Sequence, residues 1–209
     1  HMNSGEGGLL VTDDPDLIAR AIIYSGSYMN YDRHLSRLDD EVFESIRELV
    51  PNYSCRMDDL RAAILRPQLE ILDDQCRRWN RRYQLLESRL NRIPGLTCPR
   101  RDPKEAYVGS SIQFNLHTDD PAVIRRFLDT CLSRGVELKW FGNKRPVGFT
   151  SAYSSWKYFD NLPKLPNTDR ILAGMCDMRI PLTFDMADCE LIARIIADVA
   201  VQVLPADPE

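Results

Sequence analysis

The chain has 209 residues, of which 44% are hydrophobic, and it carries a formal net charge of −4 at pH 7. This composition predicts a globular protein with a packed core, and the acidic balance argues against a nucleic-acid partner, which needs a basic face. The apolar runs are too short to span a bilayer and no signal peptide is visible, so no membrane partner is expected and a cytoplasmic location is the default.

The six cysteines are scattered without a C-x-x-C pair, and the chain has only three histidines. This pattern predicts neither a metal site nor a disulfide framework. Cys76 and Cys131 fall among apolar helical positions, where a reduced cysteine acts as a small hydrophobic residue.

The first quarter of the chain combines a glycine-rich turn with a long irregular stretch. Residues 3–12, NSGEGGLLVT, predict a turn that leads into a short strand at 9–11, and residues 15–24 predict a helix after Asp-Asp-Pro. Residues 25–53 show no clear period apart from a possible short helix at 40–49. An irregular stretch of this length is usually functional or mobile.

A long helix is predicted over residues 57–93. Apolar residues recur at alternating steps of three and four from Leu69 to Ile93, a period of about 3.5 residues that keeps one stripe on one face. Pro67 is expected to kink or split the helix, because it removes an amide donor and clashes with the preceding turn. The helix should end at Pro94-Gly95.

The remainder of the chain alternates between short strands and helices. Strands are predicted at 110–116, 136–140 and 178–182, and helices at 121–133, at 168–175 with Asn167 as its cap, and at 188–203. This order predicts a small α/β layer whose sheet is covered by helices on one face.

Three segments resemble the C-terminal part of the DegT/DnrJ/StrS aminotransferases, which use pyridoxal phosphate (PLP). They are residues 3–21, NSGEGGLLVTDDPDLIARA; residues 52–72, NYSCRMDDLRAAILRPQLEIL, with an Asn-x-Arg-Met-like stretch and a Gln-Leu pair; and, more weakly, residues 165–196. The resemblance covers nearly the whole chain. It implies an α/β fold, the C-terminal part of a fold-type-I PLP aminotransferase.

In this fold the chain would divide into three parts. Residues 3–56 would be a remnant of the large PLP-binding domain, residues 57–93 a long connecting helix, and residues 94–209 a small C-terminal α/β domain. These boundaries follow from the resemblance.

The resemblance also places the PLP lysine outside this chain. In the family that lysine precedes the glycine-rich stretch at a spacing that would put it immediately before His1, so no catalytic residue is expected here. The lysine binds PLP covalently and shuttles the substrate proton, so the chain alone is expected to be inactive and not to bind PLP. The lysines that are present lack the glycine-rich sequel and are each predicted to lie on the surface or in a loop: Lys104, Lys139, Lys144, Lys157 and Lys164.

Cofactor and substrate contacts are implied by position. Ser54 matches the family asparagine that reaches the PLP phosphate of the neighbouring subunit in the dimer, and Asn52 is able to substitute for it. Arg56 occupies the family's arginine position, where it either binds oxyanions or anchors the long helix. A mobile, substrate-facing loop in the family makes four residues candidate contacts to a sugar-like ligand: Tyr28, Tyr31, Arg33 and His34.

Two functional hypotheses follow. The first is the C-terminal portion of a homodimeric PLP-dependent aminotransferase that moves an amino group from glutamate or glutamine to a keto-sugar or related polyhydroxy ketone. The alternative is a naturally short, non-catalytic half that starts at Met2 and completes or regulates a partner chain carrying the lysine. It predicts an exposed apolar face on residues 9–11 and on the 57–93 helix. An active enzyme with a relocated lysine is a third possibility.

Overall fold

The computed structural model describes residues 1–26, 33, 38–49, 53–143, 153–157 and 160–205. The chain forms two compact units, an N-terminal unit, His1–Leu72, and a C-terminal unit, Asp73–Glu209. The N-terminal unit contains the helices α1 (Pro15–Ser25), α2 (Asp40–Ile46) and α3 (Asp59–Glu70). The helix α4 (Leu72–Leu90) leads into the C-terminal unit, which continues with β1 (Leu96–Thr97), β2 (Ser111–Leu116), α5 (Pro121–Ser133), β3 (Lys139–Trp140), α6 (Pro166–Ala173), β4 (Met175–Arg179) and α7 (Met186–Val203).

The N-terminal unit has a small core of its own. Asp14 caps α1 by accepting hydrogen bonds from the next helical amides, and Gly26 ends the helix in a left-handed conformation, so the predicted helix at 15–24 is observed. Its buried face contacts α2 through four side chains that are at most 3% exposed: Ala19, Ile23, Phe43 and Ile46.

The predicted strand at residues 9–11 is not formed in the structure. Leu9, Leu10 and Val11 are 74%, 63% and 93% exposed, respectively. A strand needs a neighbour to satisfy its backbone groups, and none of the described segments pairs with these residues. Their apolar character alone was therefore an insufficient basis for predicting a strand.

The predicted long helix occurs as two helices, α3 and α4, with the interruption at Ile71. Pro67 lies inside α3, so the loss of one amide donor does not end the helix at that point. The apolar stripe is buried only in its second half, where Tyr83, Leu86 and Leu90 are at most 1% exposed. At the first position of the stripe, Leu69 is 62% exposed.

The C-terminal unit is built on a four-stranded antiparallel sheet in the order β1-β2-β4-β3. Alternate residues of β2 are buried, so Ile112, Phe114 and Leu116 face the core while Ser111 and Gln113 lie on the opposite face. The core is completed by buried side chains of α4, α5 and α7. An α/β fold with a short sheet covered by helices is confirmed.

Three local predictions change in the structure. The last strand occupies 175–179 rather than 178–182, because it pairs with β2 up to Arg179, and Pro181 follows shortly after. Asn167 does not cap α6, which begins at Pro166 after Leu165. The third strand is confined to two residues of the predicted 136–140. Among the described residues, no helix is long and apolar enough to cross a membrane.

Candidate functional site

The glycine-rich segment, residues 3–8, forms a tight bend in the N-terminal unit. Gly5 and Gly7 have φ angles of +98° and +152°, which side chains strongly disfavour. The Asn3 side chain accepts a hydrogen bond of 2.8 Å from the Gly5 N–H and stabilises the bend. Glycine is therefore required here by the backbone conformation.

Gln68 of α3 holds the glycine-rich segment against the helix. Its Oε1 accepts a hydrogen bond of 2.8 Å from the Asn3 N–H, and its Nε2 donates one of 2.9 Å to the Asn3 carbonyl. Nε2 also donates to the Ile64 carbonyl at 2.9 Å, which fixes the orientation of the amide. The two sequence segments that carry the resemblance most strongly are thus joined across 65 positions of the chain.

A cavity of about 260 Å³ lies beside this contact. We call it the glycine-rich cavity; its walls are residues 1–9 together with Met57 and Leu65. A Cβ atom added to Gly7 would lie 3.1 Å from Cε of Met57, so only glycine fits without displacing that methionine. A ligand in the cavity would approach backbone amides closely, as phosphate groups do at glycine-rich bends.

Ser54 occupies an unusual backbone turn before α3. Its φ is +54°, the one positive value at a non-glycine position among the described residues. The next residue, Cys55, donates its N–H to the Tyr24 carbonyl at 2.9 Å, and Asp58 then caps α3 by accepting from the Arg61 N–H at 2.8 Å. Asparagine tolerates the left-handed region better than serine does, which gives a physical reason for an asparagine at this position.

Comparison with known proteins assigns the chain to a family. Residues 1–200 match the model of the DegT/DnrJ/EryC1/StrS aminotransferase family. The chain belongs to this family. A stretch of 105 residues is 33% identical to the erythromycin biosynthesis sensory transduction protein EryC1 of Saccharopolyspora erythraea, and it covers 47% of this chain and 24% of that protein.

Solved structures agree on the fold of this DegT/DnrJ/EryC1/StrS chain. DesI, solved in the presence of its TDP-sugar product, has a TM-score of 0.65 at 16% identity, with 92% of this chain and 45% of DesI covered. The E. coli GDP-4-keto-6-deoxy-D-mannose-3-dehydratase with bound hydrated PLP has a TM-score of 0.65 at 17% identity, with 89% and 49% covered. For the aminotransferase TlmJ of Streptoalloteichus hindustanus the TM-score is 0.63 at 17% identity, with 81% and 47% covered. The chain spans about half the length of these solved relatives.

The predicted contact residues of this family member are only partly brought together. Ser54 and Arg56 are exposed in the turn before α3, and neither lines the glycine-rich cavity, although the neighbouring Met57 does. Arg33 is exposed. The other predicted contacts lie outside the described residues and stay predictions: Asn52, Tyr28, Tyr31 and His34.

No lysine is among the residues that line the glycine-rich cavity. Lys139 is half-buried in β3, Lys104, Lys157 and Lys164 are exposed, and Lys144 lies outside the described residues. Within the described ranges no group of three or more acidic, histidine or cysteine side chains is arranged to hold a metal ion. Burial raises the pKa of three thiols to about 12, which keeps Cys98, Cys131 and Cys176 protonated and unreactive.

One polar residue that the sequence analysis missed is Asp177 of β4. It is 6% exposed, and its Oδ1 accepts a hydrogen bond of 2.6 Å from Nε2 of Gln113. The sequence did contain a signal for it: Asp177 stands between the apolar Cys176 and Met178. An acidic side chain in a buried strand needs a hydrogen-bond partner, so a buried polar contact could have been predicted here.

Proposed function

We propose that the chain is the C-terminal portion of a PLP-dependent aminotransferase that transfers an amino group from glutamate or glutamine to a keto-sugar or related polyhydroxy ketone. The observation that carries this proposal is the family match over residues 1–200. The pairing of Gln68 with Asn3 supports it, because it joins the two segments that resemble the family's cofactor region. The intact enzyme would act as a homodimer.

The resemblance implies which residues of this chain would hold the phosphate end of the cofactor. When bound, PLP supplies the electron sink for the transfer. Ser54 and Arg56, both exposed in the turn before α3, would contact the phosphate oxygens, Ser54 through its hydroxyl and Arg56 through its guanidinium. We propose that none of the five lysines of this chain is the one that binds PLP, because none is followed by a glycine-rich stretch, so the chain alone would be inactive and would bind no PLP covalently.

The solved relatives also include a dehydratase, so the fold alone does not choose between loss of a substituent and amino transfer. Amino transfer is favoured because the family model that matches this chain describes aminotransferases. Nitrogen transfer from ¹⁵N-labelled glutamate or glutamine to a panel of nucleotide-linked keto-sugars tests this point in the endogenous enzyme. Release of water without ¹⁵N incorporation would refute amino transfer.

A second candidate function is a non-catalytic half that completes or regulates a partner chain carrying the lysine. Under this candidate a separate chain covers the exposed Leu9, Leu10 and Val11, together with Leu60 and Leu69 of α3, which are 73% and 62% exposed. Exposed apolar groups of this kind mark contact surfaces. In the first proposal the same polypeptide covers them, whereas in the second a separate chain does.

The deciding experiment is to isolate the endogenous polypeptide, reduce it with borohydride in the presence of PLP, and measure its intact mass and peptides. The first proposal expects a mass well above 24.1 kDa and a PLP adduct on a lysine outside residues 1–209. A mass near 24.1 kDa with the adduct on a co-purifying chain would establish the second candidate. An adduct on any of the five lysines within this chain would refute both and indicate a relocated catalytic lysine.

A further inference from the structure

A second cavity, of about 340 Å³, opens at the edge of the sheet in the C-terminal unit. We call it the edge cavity. It lies between β4 and residues 135–139, because β3 pairs with β4 only at Lys139 and Trp140 and the preceding residues leave β4 uncovered. Its volume falls in the range of small-molecule sites, roughly 300–1,000 Å³.

Asp177 is one of the residues that line the edge cavity. Its Oδ1 accepts a hydrogen bond of 2.6 Å from Nε2 of Gln113. Within the described part of the chain, every buried side-chain oxygen or nitrogen has a hydrogen-bond partner. Among the described residues no side chain or backbone group bonds Oδ2 of Asp177, so this oxygen is accessible to solvent, and we place it at the cavity that Asp177 lines. A nearly buried carboxylate oxygen is stabilised by a ligand that donates hydrogen bonds, and most strongly by a cation.

The backbone of Arg179 adds further polar groups. The Phe141 N–H donates to the Met175 carbonyl and the Ile180 N–H donates to the Ser110 carbonyl, so odd-numbered residues of β4 direct their backbone groups toward β3 and even-numbered ones toward β2. The N–H of Arg179 therefore faces the side where residues 135–138 precede β3. Among the described backbone groups none accepts a hydrogen bond from it, so it is positioned to bind a ligand carboxylate.

The charges around the edge cavity balance. Lys139 and Arg179 carry positive charges, Glu137 and Asp177 carry negative ones, and all four line the cavity. Lys139 is the cross-strand neighbour of Asp177, and Arg179 lies two residues further along β4, so these three side chains share one face of the sheet. Such a balanced arrangement suits a zwitterion and disfavours a multiply charged anion such as a nucleotide.

The rest of the lining is apolar. Val136 and Met178 are buried, Phe184 and Ile192 are half-buried, and all four line the cavity. A ligand with charged groups at one end and an apolar body at the other would match this division.

From these features we infer that the edge cavity binds a free L-α-amino acid with an apolar side chain. Its ammonium group contacts Oδ2 of Asp177, its carboxylate contacts the Arg179 N–H beside Lys139, and its side chain packs on the apolar wall. This inference concerns the C-terminal unit alone and does not depend on the amino transfer proposed above.

The probe is L-leucine, titrated into the 209-residue chain by isothermal titration calorimetry. Two analogues separate its charged ends: 4-methylpentanoate lacks the ammonium group, and 3-methylbutylamine lacks the carboxylate. L-Glutamate serves as a second control, because its side-chain carboxylate would face the apolar wall. We expect saturable binding of L-leucine and weaker binding of all three other compounds.

Asp177→Asn should weaken L-leucine binding by about tenfold to a hundredfold, since it removes a charged hydrogen-bond partner. Asp129→Asn, an exposed position of α5 outside the cavity lining, is the matched control and should leave binding unchanged. Ile192→Trp fills the cavity without altering a charge and should also abolish binding, so it keeps the test decisive if Asp177→Asn does not fold. The inference is overturned if wild-type protein shows no saturable binding, or if a folded variant of either kind binds L-leucine as tightly as wild type.

Discussion

Replacing Gly174 with alanine should destabilise the C-terminal unit, because three oxygen atoms surround this position. A Cβ atom on residue 174 would lie 2.5 Å from the Leu116 carbonyl oxygen, 3.1 Å from the Thr118 carbonyl oxygen and 3.2 Å from Oδ1 of Asn115. The first contact is with backbone, which is unable to rotate away. The same pair of residues is joined by a hydrogen bond of 2.9 Å from the Leu116 N–H to the Gly174 carbonyl.

The magnitude follows from the groups that must move. Separating the two chain segments costs about 1–3 kcal/mol as overpacking, and weakening the Leu116–Gly174 hydrogen bond costs a further 0.5–1.5 kcal/mol or so. Alanine also restricts the unfolded chain more than glycine does, which stabilises the folded state by about 0.4–1 kcal/mol. We therefore expect Gly174→Ala to lower the free energy of unfolding by about 0.5–4 kcal/mol.

Urea unfolding followed by tryptophan fluorescence measures this change. Trp140 is a local reporter, since its Nε1 donates a hydrogen bond of 2.7 Å to the carbonyl of Ala173. Gly135→Ala is the matched control: its φ is +86° but no atom lies within 4 Å of the added Cβ, so it tests backbone strain without a steric clash. The strain destabilises the folded state by about 1–2 kcal/mol, and the restriction of the unfolded chain by alanine offsets part of this. A Gly174→Ala protein as stable as wild type would refute the steric argument.

Three further predictions test other parts of the structure. Ser54→Asn should raise the free energy of unfolding by about 0.5–1 kcal/mol, because asparagine tolerates the φ of +54° better, and an unchanged or lowered urea midpoint would contradict this. The hydrogen bond from Arg89 lowers the pKa of Glu190 below its usual 4.5, so this pair stabilises the fold above that pH and the contribution disappears as the pH falls through the lowered pKa. The stability difference between wild type and Arg89→Gln should accordingly shrink in acid, and a difference that is constant from pH 7 into acid would exclude the pair. With a thiol reagent at neutral pH, exposed Cys55 should react in the native protein, and this reaction should be absent in Cys55→Ser. Three buried thiols with pKa values of about 12 should react only after unfolding: Cys98, Cys131 and Cys176.

Helix starts could be predicted closely from the sequence wherever the chemistry is local. Asp14-Pro15 and Asp120-Pro121 both combine a capping carboxylate with a proline at the first helical position, and both helices begin there. β4 was displaced in the prediction because Asp177 interrupts the apolar pattern. That residue is tolerated by a partner, Gln113, which lies 64 positions away and cannot be located from local spacing.

In the candidate site, too, the local features could be predicted from the sequence and the long-range contacts could not. The glycine-rich bend was predictable, since glycine alone readily adopts the φ angles of Gly5 and Gly7. Its attachment to Gln68 was not, because that contact depends on where α3 lies in the folded unit. The chain gives no local signal either for the edge cavity, which exists because β3 begins only at Lys139 and leaves the end of β4 near Arg179 uncovered.

The strand order β1-β2-β4-β3 has a consequence for synthesis on the ribosome. β4, the last of the four described strands in chain order, lies inside the sheet, and it is the strand with which β3 pairs. Until Arg179 has left the exit tunnel, β3 has no strand to join and β2 exposes the edge that β4 later covers. The sheet therefore closes only after Arg179 has emerged, and a nascent chain stalled before that point would expose strand edges prone to aggregation or chaperone binding.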